Sequence, residues 1–415
     1  MTESMQERAG SCDLPDGRLP YANVVREERQ LTGSLLLLLA GLAALGTLST
    51  NIILPAFPDM GRTLGVSTKA LGATLSSFFV AFAFGQLLVG PLSDRFGRKW
   101  LVVGGLVVFL AGSVLCAAAT SLSLLVAGRV VQALGVCAAS VLSRAIARDL
   151  FDGEALARAL SLIMVAMAAA PGFSPLLGGA LDSLIGWRGA FGLVGILGLA
   201  LAVHYLVSTG ETHPADRRSV VSVGAILKGY VRLLLDVRFI VPAASVSLVM
   251  GGLLTFFGTA PAILMDGLGL SSLGLGLFFA ATVFVVFGAG LLAPRLAHRW
   301  GQRSTATAGV AIALVGSAAL LTGAPGLTHF SIGLTTFLLG MGLVNPLATA
   351  LALHPFAKEA GSASALLGFL QLGCAALAIS IAGALDVPAY TSLGAVLTGS
   401  TALSLIVFLT SVRRR

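Results

Sequence analysis

Gly90-Pro-Leu-Ser-Asp-Arg-Phe-Gly-Arg-Lys99 separates two long apolar segments. Two glycines, an acid and three bases in so few residues suit a tight loop between two membrane helices. The stretch has an echo: Pro294 to Arg303 reads P-R-L-A-H-R-W-G-Q-R. A shift of 204 residues aligns Leu92 with Leu296, Arg95 with Arg299, Phe96 with Trp300, Gly97 with Gly301 and Lys99 with Arg303. A charged hairpin used twice, half a chain apart, predicts a duplicated architecture.

Composition sets the solvent. The 415 residues are 56% hydrophobic and 11% charged, with a mean hydropathy of +0.95. Soluble domains carry about a quarter charged residues, so this chain cannot cover a water-facing surface. A spanning helix needs about 20 apolar residues, which leaves room for roughly twelve. Fifty-one glycines suit membrane helices, where small residues permit close approach. The net charge of +8 does not indicate nucleic acid, because the bases lie in short loops between apolar runs. Cys12, Cys116, Cys137 and Cys374 lack metal-ligand spacing and read as unpaired.

Apolar runs predict spans near 34–54, 71–92, 100–119, 122–145, 160–181, 189–208, 239–264, 272–293, 304–323, 329–353, 362–384 and 392–411. They are too long for barrel strands and lack period-two alternation. With the N-terminus inside, 22 bases fall on the inner side and 3 (Arg62, Lys69, Arg188) on the outer, leaving Arg129 within a span. The positive-inside rule then predicts that both termini are cytoplasmic. The expected organisation is a polar, disordered tail over 1–33, a six-helix bundle over 34–208 and a charged cytoplasmic linker over 209–238. A second six-helix bundle over 239–411 and a basic tail over 412–415 complete it. The first apolar run follows a long tail and reads as a retained helix, not a signal peptide. The fold class is thus an all-α membrane protein of twelve spans in two halves.

The 90–99 loop resembles the signature hairpin of the major facilitator superfamily through Gly90, Leu92, Asp94, Arg95, Gly97, Arg98 and Lys99. Further stretches narrow the resemblance: Leu54-Pro-Ala-Phe-Pro58, Arg129-Val-Val-Gln-Ala-Leu-Gly135 with Arg144-Ala-Ile-Ala-Arg-Asp149, and Pro171-Gly-Phe-Ser-Pro-Leu-Leu-Gly-Gly179 with Gly186-Trp-Arg188. Together they are similar to the Bcr/CflA group of drug:proton antiporters, which includes chloramphenicol and bicyclomycin exporters. The first half carries the resemblance, and the second joins it through topology and its hairpin. It implies a multi-pass protein of the bacterial cytoplasmic membrane that exports small drug-like compounds by alternating access. A monomer, a small-molecule substrate, a proton as coupling ion and the lipid bilayer as partner are expected, with no nucleic acid, cofactor or metal.

Read individually, the residues suggest roles. Gly90 and Gly97 suit a reverse turn, and Asp94 suits the positive ends of neighbouring helices. The resemblance implies that Asp94, Arg95, Arg98 and Lys99, with Arg299 and Gly301, latch the two halves in one state and release them in the other. His298 stands at the acid's place in the second hairpin, so the latch is asymmetric. Arg129 is the base within a span, where an ionisable residue defaults to function, and Gln132 shares its face one turn on. Arg129 has two readings, a cavity residue or a structural arginine capping carbonyls. Pro171, Pro175, Gly178 and Gly179 interrupt the fifth span, either as the cavity seal the resemblance implies or as a packing kink. Phe256, Phe257, Asn345 and Gln371 are candidate cavity groups, although core or lipid packing also explains the aromatics.

One departure bears on coupling. Relatives in this group place an acid near the end of span 1, and Asn51 stands there; a second acid found in some corresponds to Ala43. None of the 18 acids is mid-span. An amide cannot carry a proton, so coupling falls to a peripheral acid such as Asp59 or Asp182, to a titrating substrate, or is absent. Arg129 without a fixed carboxylate favours anionic, zwitterionic or carbonyl-rich substrates. No Ser–His–acid set or phosphate loop is visible, so an enzyme is not expected. A metabolite transporter for nucleosides or amino acids is the alternative, followed by a transport-dead scaffold or sensor.

Overall fold

The computed structural model describes residues 32–214, 216, 218, 223–323 and 326–412. The tail expected over 1–33, except its last two residues, lies outside them, as do Cys12, part of the linker and residues 413–415. The described chain contains helices and no strands. The first half comprises α1 (Gly33–Asn51), α2 (Phe57–Leu64), α3 (Gly72–Phe96), α4 (Arg98–Ala117), α5 (Leu122–Leu150), α6 (Gly153–Ile185) and α7 (Trp187–Ser208). Helix α8 (Val223–Leu235) follows in the linker. The second half comprises α9 (Val237–Ala260), α10 (Ser272–Trp300), α11 (Gln302–Thr322), α12 (Leu327–Leu353), α13 (Ala360–Ala384) and α14 (Ala389–Val412).

Twelve spans result, as the apolar runs predicted. The short α2 prolongs the first span beyond its expected end, after a 3₁₀ turn (Leu54–Ala56) containing Pro55. Hydroxyl caps set several starts: Thr32, Ser121 and Ser271 accept from the backbone N–H of Leu35, Leu124 and Gly274 at 3.3, 3.3 and 3.1 Å. The number of spans is even, so α1 begins and α14 ends at one face. That face carries the hairpins and is called the basic face.

Three details correct the sequence reading. Gly90 lies within α3, and Gly97 alone turns the chain, at φ +91°. Gly301 does the same between α10 and α11 at φ +85°. Each hairpin is therefore two helices joined through one glycine in a conformation that disfavours a Cβ. Second, α6 runs unbroken through Pro171 and Pro175. Proline already has a helical φ, and membrane helices tolerate the loss of individual backbone bonds. Third, the linker is not only a loop, because it contains the 13-residue α8.

The duplication is visible in the packing. At the α4–α5 crossing, a Cβ added to Gly105 would lie 2.6 Å from the Gly135 carbonyl oxygen, and Gly112 lies against the Gln132 backbone. At the α11–α12 crossing, a Cβ on Gly309 would lie 2.9 Å from the Gly340 carbonyl oxygen, and Gly316 lies against the Phe337 backbone. The first-half glycines 97, 105 and 112 map onto 301, 309 and 316 at an offset of 204, and 128 and 135 onto 333 and 340 at 205. Backbones touch there because no side chain intervenes.

The halves meet through two helix pairs, α3 with α13 and α6 with α10, which the internal repeat exchanges. Along α6–α10, Gly276 receives Leu176, Gly172 receives Val283 and Gly179 receives Ser272. Helix α6 is buried at Ala170, Gly172, Ser174, Pro175, Gly178 and Gly179, but only at Ala159 and Ile163 in its preceding half. Lys69 Nζ donates to the carbonyls of Leu385 and, at 3.1 Å, Val387. These closures lie toward the face opposite the basic one, here called the base-poor face.

Candidate functional site

Arg129 lies two turns into α5 and is fully buried. Its Nη1 donates to the Ser49 carbonyl of α1 at 3.2 Å and to Gln132 Oε1, while Nε reaches the Thr74 carbonyl of α3 at 3.5 Å. The guanidinium plane lies 4.3 Å from the Phe78 ring centroid, a cation–π contact strengthened by the absence of water. Gln132 passes the chain to α4, donating from Nε2 to Ser113 Oγ at 2.8 Å, and Ser113 donates to the Phe109 carbonyl at 2.8 Å. Arg129 thus joins α1, α3 and, through Gln132, α4. Its Nη2 has no partner among the described residues. In this state the side chain offers a substrate no exposed atom, and the geometry is that of the carbonyl-capping reading.

Asn51 is buried but does not meet Arg129. Its Nδ2 donates to the Thr47 carbonyl at 2.8 Å and to Thr50 Oγ1 at 3.2 Å, closing the end of its own helix. At the position of Ala43, the carbonyl accepts from Ser140 Oγ at 3.3 Å. Of the peripheral acids, Asp59 pairs with Arg62 at 3.0 Å. Asp266 and Asp386 are exposed. Asp182 has one carboxylate oxygen, Oδ1, buried without a partner among the described residues.

The second-half candidates are dispersed. Phe256 is fully buried in an aromatic cluster, 5.4 Å from Phe257, 5.5 Å from Phe279 and 6.3 Å from Phe330 between ring centroids. Asn345 and Gln371 are half-buried on α12 and α13. Gln86 went unnoticed in the sequence: on α3 it faces Gly368 of α13, across the two halves, and its Nε2 is buried without a partner. A polar residue midway along an apolar run was the signal. Beside it, Phe84 meets Phe369 edge-on at 5.3 Å.

At the basic face Asp94, Arg98 and Lys99, three of the residues expected to form a latch, join a network within the first half and linker. Arg98 is nearly buried, its Nη1 2.8 Å from Asp94 Oδ1 and its Nε 3.1 Å from Asp149 Oδ2, and it also donates to Ser93 Oγ. Thr212 donates to the same Asp149 oxygen at 3.2 Å. The acid at the N-terminus of α4 is Glu211 of the linker, not Asp94. Its Oε1 accepts from Arg98 N at 2.8 Å and His213 N at 2.9 Å, and its Oε2 from Lys99 N at 3.3 Å. Burial acts to raise the Glu211 carboxyl pKa. Those N–H donors and the Arg218 guanidinium, 3.8 Å away, outweigh it and hold the group below its ordinary 4.5. Arg95 is exposed and lies against Phe96, and Lys99 against Trp100, with the charges 5.3 and 5.1 Å from the ring centroids. In the second hairpin His298, Arg299 and Gly301 are exposed. Among the described residues, no three His, Cys, Asp or Glu side chains are grouped to hold a metal ion.

A profile of the Major Facilitator Superfamily matches residues 39–382. The chain belongs to the major facilitator superfamily. Within that superfamily it is 28% identical over 377 residues to the multidrug resistance protein D of Escherichia coli K12, covering 89% of this chain and 94% of the relative. It is 30% identical over 285 residues to a chloramphenicol resistance protein of Pseudomonas aeruginosa, covering 68% and 66%. The fold is similar to a bacterial homologue of the human lysosomal transporter Spinster in an inward-facing, occupied conformation. That match has a TM-score of 0.71 at 17% identity and covers 91% of this chain and 96% of the other. The two-bundle architecture of this chain is the superfamily's fold.

Proposed function

We propose that the protein exports small, moderately apolar drug-like or antibiotic compounds across the bacterial cytoplasmic membrane by alternating access, as a monomer with both termini in the cytoplasm. The observation that carries this reading is near full-length relatedness to a multidrug resistance protein, with relatedness to a chloramphenicol resistance protein beside it. The geometry supports it in two ways. The contacts of α6 with α10 gather toward the base-poor face, as one end of a rocking cycle requires. The Arg98 network lies wholly on one side of the bundle interface, so in this state it does not bind the second half.

The reading assigns proton coupling to Asp182, the peripheral acid with a buried, unpartnered oxygen; Asp59 and Arg62 are the charged groups acting on it. The test uses pump-deficient bacteria expressing wild type, Arg129→Ala or Asp182→Asn at matched levels. Wild type should raise resistance to phenicols or bicyclomycin and lower accumulation of labelled chloramphenicol several-fold. Arg129→Ala should abolish both effects. Asp182→Asn should abolish export driven by an imposed pH gradient while retaining substrate exchange. Unchanged drug accumulation, with altered accumulation of labelled nucleosides or amino acids, would replace this reading with that of a metabolite transporter.

A further inference from the structure

The linker helix α8 presents apolar residues on two sides. One side is satisfied by protein: Tyr230 and Leu233 are buried, and Tyr230 Oη donates to the Leu87 carbonyl of α3 at 3.1 Å. The other side is open. Leu227, Val231 and Leu235 are 61, 48 and 77% exposed, and Val237, at the start of α9, is 53% exposed. They line a shallow groove of about 890 Å³ together with Lys228 and Arg232.

The fold indicates what lies against this groove. Only Asp236 separates α8 from the membrane-spanning α9, so α8 ends at the bilayer boundary. Leu87, to which Tyr230 bonds, lies nine residues before the end of α3 at Phe96, or about 13 Å below its tip at 1.5 Å per residue. Helix α8 is therefore set back from the hairpin tips. On the same face Phe96, Trp100 and Trp300 are exposed at the hairpin tips. An apolar stripe bordered by Lys228, Arg232 and an Asp236 already paired with Arg238 at 2.8 Å, and leading directly into a membrane span, has the chemistry of an interfacial helix. Arg232 shares its charge with Glu359, whereas Lys228 is exposed and has no ion-pair partner among the described residues.

We propose that this groove seats one phospholipid with an anionic headgroup. An acyl chain would lie along Leu227, Val231, Leu235 and Val237, with the phosphate at Lys228 and within reach of Arg232. Two interactions combine: apolar burial holds the chain, and the uncompensated lysine selects the headgroup.

The test is native mass spectrometry of the full-length protein titrated with phosphatidylglycerol or phosphatidylcholine, together with thermal melting in each lipid. Wild type should retain one phosphatidylglycerol more than either Lys228→Gln or Leu235→Ser. Loss of the lysine should weaken that retention about fivefold. Phosphatidylglycerol should raise the melting temperature of wild type but not of Lys228→Gln, while all three proteins melt alike in phosphatidylcholine. Equal retention by wild type and both variants, or equal retention of the two lipids by wild type, would overturn the proposal.

Discussion

At the scale of single residues, Arg129 and Glu211 illustrate opposite uses of charge. Arg129 keeps a guanidinium inside the membrane by engaging three of its five N–H donors with groups on α1, α3 and its own helix. Glu211 sits at the membrane edge and is held ionised by backbone N–H groups at a helix start. Its lowered pKa fixes the sign of a pH effect. The stabilisation is fully present above the ordinary value of 4.5 and is lost as pH falls through the depressed folded value. Acidification from above 4.5 down through the depressed folded value should therefore release the linker from the hairpin, and Glu211→Gln should show the release already at pH 7. Hydrogen exchange at Arg98 and Lys99 measures it. Protection that is unchanged in the variant would remove Glu211 from this role. Neither partnership could be read from one sequence, because contacts 80 and 113 residues apart leave no local pattern. The charge of Arg129 within a span, in contrast, was visible at once.

At the scale of elements, Pro91 explains a bond that otherwise looks incidental. Proline has no N–H, so Pro91 leaves the carbonyl four residues back, that of Leu87, without its helix partner. Tyr230 of α8 supplies the missing donor, while Arg232 of the same helix reaches Glu359 beside α13. Helix α8 thus ties the first half to the second. Tyr230→Phe should leave the Leu87 carbonyl unsatisfied and weaken the docking of α8 by about 1 kcal/mol. Faster hydrogen exchange along α8, with the spans unaffected, is the expected readout. The pair α6–α10 makes a second prediction. A Cβ at Gly172 would already lie 3.0 Å from Val283, so Gly172→Leu should force the helices apart toward the base-poor face. A cysteine pair at Leu176 and Gly276 should then cross-link several-fold more slowly than without the substitution. The spans were legible because twenty apolar residues in a row have few other fates. Helix α8 was not, since thirteen residues with apolar groups on two faces, flanked by charges, look like a loop. The turn at Gly97 was narrowed only to two glycines, because composition does not reveal which one takes positive φ.

At the scale of the whole molecule, a duplicated frame carries unequal contents. The first half centres on the polar node of Arg129, Gln132 and Ser113. At the 205-residue offset, Leu334 and Phe337 stand where Arg129 and Gln132 do, and both are buried. The repeat therefore conserves how helices cross while leaving polarity free to diverge, so the first half carries more of the candidate chemistry. The frame also fixes what the halves share, since α3–α13 and α6–α10 exchange under the repeat. The proposed sidedness rests on the distribution of bases, 22 against 3 by loop position. An epitope tag at either terminus should react with antibody only after the cells are permeabilised. Labelling of intact cells would reverse the orientation.

The glycine ladder also constrains the chain's evolutionary history. From Gly97 and Gly301 through Gly112 and Gly316, the two copies keep step at 204 residues, and by Gly128 and Gly333 they differ by one more. Since the copies parted, the net change in length across this module has been a single residue, falling between Gly112 and Gly128 in the first copy and Gly316 and Gly333 in the second. An insertion within either helix would rotate every later glycine by about 100° and drive side chains into a neighbouring backbone. Length variation among descendants of this ancestor is therefore expected to collect in the loop joining α4 to α5 and its counterpart between α11 and α12, and to be purged on either side of each.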